Sequence, residues 1–178
     1  MTRTENDFEN LNPEKLLFPE YEASQLLFDE ETRPEGSSAS QGFDATLEEV
    51  LHLVTALGYA PAHPETFGEQ PGSVLADCMD LARGGQFTSI PNPYPAEAWY
   101  HYDDFTCDYR CMVTEYFYWA LTSLLGAQNY SGRPQQIAVE WELPTPELLQ
   151  SGDPCVYGLL THPDFKVPSV LPDGSYGP

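Results

Sequence analysis

The chain is short of positive charge. It has 7 Lys and Arg against 28 Asp and Glu, a formal net charge of -21. A nucleic-acid backbone is held by clustered cations, so nucleic acid is excluded as an expected partner. An anionic membrane surface is disfavoured on the same ground. No apolar run reaches the length a spanning helix needs, so no membrane span is expected. The opening residues, MTRTENDFEN, lack the apolar stretch of an export signal. Export is therefore not expected to be encoded here, although a trimmed extracellular protein would read the same way.

Other signatures are missing too. There is no G-x-S-x-G elbow and no glycine loop that could cradle phosphate. The acids lack the alternation and the central glycine of an EF-hand calcium loop. Cys107 and Cys111 are four apart, which is not the CxxC spacing of redox or zinc-ribbon motifs.

What is present points to one globular domain. A chain of 178 residues, 41% hydrophobic, can bury a real core without staples. Seventeen prolines and 13 glycines predict long irregular connections. The surplus acid serves solubility or attracts cations such as calcium. The 4 cysteines, Cys78, Cys107, Cys111 and Cys155, allow three complete pairings, and sequence does not choose between them. Cys107 and Cys111 suit a bridge or a pair of buried thiols better than a metal role.

The expected fold is mainly α, with α+β as the alternative: a compact helical domain with a minimal or absent sheet. Residues 1–43 read as a partly disordered N-terminal segment and 44–178 as a single helical domain. SQLLFDE, residues 24–30, is the one edge-strand candidate, and a helix fits it almost as well. A helix is predicted over 45–57, capped by Asp44 or by a Thr46–Glu49 capping box and ended by Gly58. Its apolar face is Leu47, Val50, Leu51, Val54 and Leu57, expected to point inward. SVLADCMDLARGG is a second helix. The proline-rich and aromatic stretch 86–106 should be irregular, with a short helix near Glu97. CDYRCMVTEYFYWALTSLLGAQ, capped by Asp108 and stopped by Gly126, is apolar on nearly every side and therefore a buried helix. PQQIAVEWEL is a helix or a strand, and TPELLQSGDPCVYGLLTHPDF is two helical turns broken by Pro154.

The first of these helices carries the chemistry. Glu48, Glu49, Val50, Leu51 and His52 place a carboxylate and an imidazole at i and i+4, one turn apart on one face, where both can reach one ion. The residue at i+1 points about 100 degrees away. This pentapeptide and its flanks resemble the His-Glu-x-x-His helix of zincin metallopeptidases, with glutamate in the first ligand position. The resemblance covers about a dozen residues. It implies zinc, with Glu48 and His52 as metal ligands, Glu49 as the general base and a peptide substrate. Gluzincins take their third ligand as a glutamate from a downstream helix, and Glu115 matches that role. A carboxylate set in MVTEYFYWALTSLL must be paired, protonated or metal-bound. Glutamate for histidine lowers the charge of the site, which implies a variant or degenerate peptidase. TCDYRCMVTEYFYWALTSLLGAQ and PSVLPDG also resemble an uncharacterised bacterial module, to which no activity attaches.

Competing readings are simpler. A solvated polar stripe accounts for Glu48, Glu49 and His52 without metal. Glu115 could accept a tyrosine hydrogen bond. The chain would then be a non-enzymatic acidic extracellular or surface module that binds a protein partner or calcium. A third reading is a redox protein using Cys107 and Cys111. WYHYDDFTCDYRC mixes hard carboxylates with thiols, so a tight loop fixed by tyrosine hydrogen bonds and a bridge is expected there. His101 is kept as a second catalytic residue, a transition-state donor. His63 and His162 read as surface residues. The sequon NYSG, 129–132, matters only in a glycosylating host.

Overall fold

The computed structural model describes residues 27–172. In chain order, α1 (Thr46–Val54) runs through a π-helical turn (Thr55–Tyr59) into α2 (Ala60–Ala62). Then follow α3 (Pro64–Phe67), α4 (Val74–Ala82), α5 (Tyr109–Leu124), α6 (Arg133–Ile137), α7 (Pro146–Gly152) and α8 (Pro154–Leu160). Among the described residues there is no strand or sheet, only isolated bridges, so the domain is mainly α.

α5 is the axis of the core. The Asp108 side chain caps it, accepting from the Cys111 N–H, and it runs out at Leu125, just before Gly126 with φ of 80°. Met112, Val113, Tyr116, Phe117 and Leu121 are fully buried along it, as an all-round apolar helix requires. α4 lays Leu75 and Met79 against it, and α7 and α8 add Leu149 and Val156. The Cys78–Cys155 bridge joins α4 to α8, and Cys107–Cys111 ties the preceding loop to the first turn of α5. α8 is capped by Asp153, whose other oxygen takes hydrogen bonds from Trp99 Nε1 and the Tyr116 hydroxyl. Pro154 starts α8 rather than breaking a helix, because a first-turn proline has no intrahelical donor to lose.

Residues 86–106 are irregular as expected, and the turn near Glu97 is not a helix. They are fixed by side chains: the Tyr94 hydroxyl donates to the Tyr102 carbonyl, and the Tyr100 hydroxyl to that of Met112. An antiparallel bridge pairs Tyr100 with Trp141 and sets residues 99–102 beside 140–142. Gly84, with φ of 75°, ends α4 where a Cβ would stand 2.8 Å from Pro95.

The front of the chain departs from expectation in three ways. Gly58 does not end the first helix, because the π turn carries the backbone through it to Ala62. No capping box forms; Asp44 Oδ1 instead accepts from the Thr46 and Arg33 N–H groups. Most important, α1 is rotated about its axis. Val50, Val54 and Leu57 are exposed at 49%, 38% and 53%, Leu51 packs against the core, and no residue of α1 is fully buried. The polar side of α1 is the side that meets α5. Residues 27–43 make a series of turns fastened to α1, for example Ala45 N–H to the Glu31 carbonyl. Residues 1–26, including the first three residues of the expected helix-or-strand candidate 24–30, lie outside the described residues; residues 27–30 are not a strand.

Candidate metal centre

This rotation of α1 brings Glu48 and His52 onto Glu115 in the middle of α5. One ligand atom from each of Glu48, His52 and Glu115 lies within 4.8 Å of the others. His52 Nε2 is 3.4 Å from Glu115 Oε1. Two ligands about 2.0–2.1 Å from a tetrahedral zinc ion stand about 3.3 Å apart, so this pair is already at ligand spacing. Only 17% of the His52 side chain and 10% of the Glu115 side chain are exposed. His52 Nε2 is buried and has no hydrogen-bonding partner, although a carboxylate faces it. Two carboxylate oxygens and an imidazole nitrogen are a donor set that could hold a divalent metal ion.

The side chains around the group hold it in place. Glu49 Oε2 lies 3.7 Å from His52 Nδ1, on the far side of the ring from Glu115. That placement keeps a proton on Nδ1, so Nε2, which faces Glu115, is the nitrogen that would give up its proton to bind a metal. The Tyr118 ring meets the His52 ring edge-on, centroids 6.0 Å apart, and its hydroxyl lies near the Glu48 carboxyl. Gln128 Nε2 donates to the same hydroxyl.

The electrostatics are those of acids crowded together without enough cation. Burial pushes the Glu48 carboxyl up to about 7; the Glu115 charge adds to this, and His52 and the Tyr118 hydroxyl oppose it. Burial pulls the His52 imidazole down, but Glu115, Glu49 and Glu48 outweigh it and hold the ring up to about 10. Burial first, then the charges of Glu115, Asp104, Glu48 and Glu140, raise the Tyr102 phenol far above its usual value. Glu140 is itself raised by burial, then by Asp103 and Glu115.

The structure thus joins Glu48, His52 and Glu115, with Glu49 behind the imidazole. It does not bring His101 to them. His101 Nε2 is 2.8 Å from the Ala98 carbonyl and Nδ1 faces Glu142. Its ring lines a separate cleft with Tyr94, Asp103, Phe105 and Val139. Its neighbour Tyr102 instead feels the charges of Glu115 and Glu48. Tyr102 and Tyr118 escaped the sequence reading because tyrosine is frequent here, 11 of 178, and no spacing marks these two. The loop at 99–111 is fixed by tyrosine hydrogen bonds and a bridge. His63 and His162 are exposed. No helix among the described residues is long and apolar enough to cross a membrane. No known protein family, curated protein or solved structure matches the chain.

Proposed function

We propose that Glu48, His52 and Glu115 hold a zinc ion, and that the chain is a zincin-like metal-binding domain, a variant peptidase acting on peptides. The observation that carries this reading is the orientation of α1. A helix with an ordinary apolar stripe turns that stripe inward. Here Val50 and Val54 stay exposed, and the carboxylate and imidazole are packed against a glutamate from the core helix. A merely solvated polar stripe would sit on the other side of the helix.

Zinc held here would act as a Lewis acid toward a peptide carbonyl and toward water. Each residue then has a task. Glu48 and Glu115 supply negative oxygens and His52 a neutral nitrogen, so the set balances a dication. Glu49 orients the His52 ring through Nδ1; the general-base role that the zincin resemblance gives it would require its side chain to swing from the imidazole to the substrate side. The Tyr118 hydroxyl flanks the Glu48 carboxyl. The Cys78–Cys155 and Cys107–Cys111 bridges suit an oxidising, extracellular or surface setting.

The test is elemental analysis of purified protein dialysed against zinc, with a peptide-cleavage assay alongside. The expected result is about one equivalent of zinc. His52→Ala and Glu115→Gln lose the metal, while Glu49→Gln keeps it and loses cleavage. Metal-free protein whose melting temperature is unmoved by zinc or by chelator would overturn the proposal.

A further inference from the structure

We propose that Arg133 anchors a carboxylate of the substrate beside the Glu48–His52–Glu115 group, so that this site takes acidic or free-C-terminal peptides. The proposal deepens the metal-site reading and rests on it for the chemistry, but not for the contact itself.

Cations are scarce in this chain, 7 against 28 acids, and most arginines in such a setting would be paired. Arg83 pairs with Asp80 and Arg110 with Glu69. Arg133 forms no ion pair with any described carboxylate. Its guanidinium is nevertheless held firmly. The central carbon lies 4.3 Å over the Phe43 ring and 5.8 Å from that of Trp119. Nε donates to Gln128 Oε1 at 2.7 Å, and Gln128 is fully buried. The plane of the fork is thereby fixed, while its terminal amino groups make no hydrogen bond to the described residues.

A second, independent donor lies alongside. Trp119 is 6% exposed, and its indole N–H is buried without an acceptor. A buried donor is normally satisfied, so an unsatisfied one next to a guanidinium with no ion pair among the described residues marks where an acceptor belongs. A planar carboxylate matches the guanidinium fork with two parallel hydrogen bonds. In so acidic a protein, a carboxylate also needs a fixed cation to approach at all.

The anchor is wired to the metal group. Gln128, which takes the Arg133 hydrogen bond, donates to the Tyr118 hydroxyl that lies near Glu48. The Tyr118 ring lies between Phe43 and His52, with centroids 6.1 Å and 6.0 Å away. A substrate held at Arg133 therefore lies two side chains from the ligand set.

The experiment uses the full chain with zinc added and follows the indole N–H resonance of Trp119, assigned with Trp119→Phe. Three probes are titrated: acetyl-tetra-alanine with a free C-terminus, the same peptide as its amide, and an amide carrying one glutamate. The carboxylate probes are expected to move the resonance saturably and the plain amide not to. Whichever carboxylate binds more tightly identifies the source. Arg133→Gln should weaken binding roughly tenfold or more, and Arg133→Lys, which keeps charge but not the fork, should recover part of it. Equal binding of the plain amide, or wild-type affinity in Arg133→Gln or Arg133→Lys, overturns the proposal. Repeating the titration on His52→Ala separates the two readings: the carboxylate contact survives loss of the metal if Arg133 is the anchor.

Discussion

α5 and α1 carry the two halves of the candidate site, and they are held in opposite ways. α5 is buried on nearly every side; Met112, Val113, Phe117 and Leu121 leave no surface exposed. α1 leaves Val50 and Val54 exposed and shares its packed side between Leu51 and the Glu48–His52 pair. Fully burying a valine is worth about 1.5–3 kcal/mol, so α1 forgoes stabilisation that a rotation about its axis would recover. The ion pairs of His52 with Glu115 and Glu49 oppose that loss, while Glu48 and Glu115 repel each other. The difference teaches that the core is fixed by apolar area, while the front helix is fixed by the polar group it presents.

The comparison can be broken at several points. Its largest expected effect concerns the core staple. Cys78–Cys155 closes a separation of 77 residues, and loop entropy predicts a loss of about 4.5 kcal/mol when both cysteines become serine. Cys107–Cys111 closes a separation of 4, for which the same relation gives about 2 kcal/mol. Urea denaturation of the two double variants should rank them in that order; equal losses would mean that chain entropy is not what the long bridge contributes. Next, Leu121→Ala on α5 removes a fully buried side chain and should cost about 2–5 kcal/mol by the same assay. Smallest is Leu57→Gln, on the exposed side of the turn after α1, expected to change stability by less than about 0.5 kcal/mol. A loss approaching that of Leu121→Ala would show that this side is covered in solution and would remove the contrast between the two helices.

Much of the fold was legible residue by residue. The cap at Asp108, the apolar run through MVTEYFYWALTSLL and the stop at Gly126 are local signals, and α5 follows them. The helix after Ser73 was legible for the same reason, its side chain accepting from the Ala76 N–H. The end of α1 was not. Gly58 is permissive rather than prohibitive, so the π turn could pass through it. The face of α1 was misjudged because periodicity reports which residues share a side, not which side the neighbour wants.

For the site, the spacing Glu48–His52 and the buried carboxylate at 115 could be read from the chain alone, since helix geometry makes i and i+4 neighbours and apolar flanks make an acid conspicuous. Their meeting could not. It depends on α1 packing polar side inward, a contact between residues more than sixty positions apart. The same holds for Tyr102, Tyr118 and Arg133, whose surroundings are assembled from loops and helices distant in sequence. Sequence by itself determined an acidic, mainly helical domain with one all-apolar helix, because composition and periodicity act locally. Only the tertiary structure decided which acids share a space with His52, because charge and burial are properties of the packed neighbourhood and not of any segment.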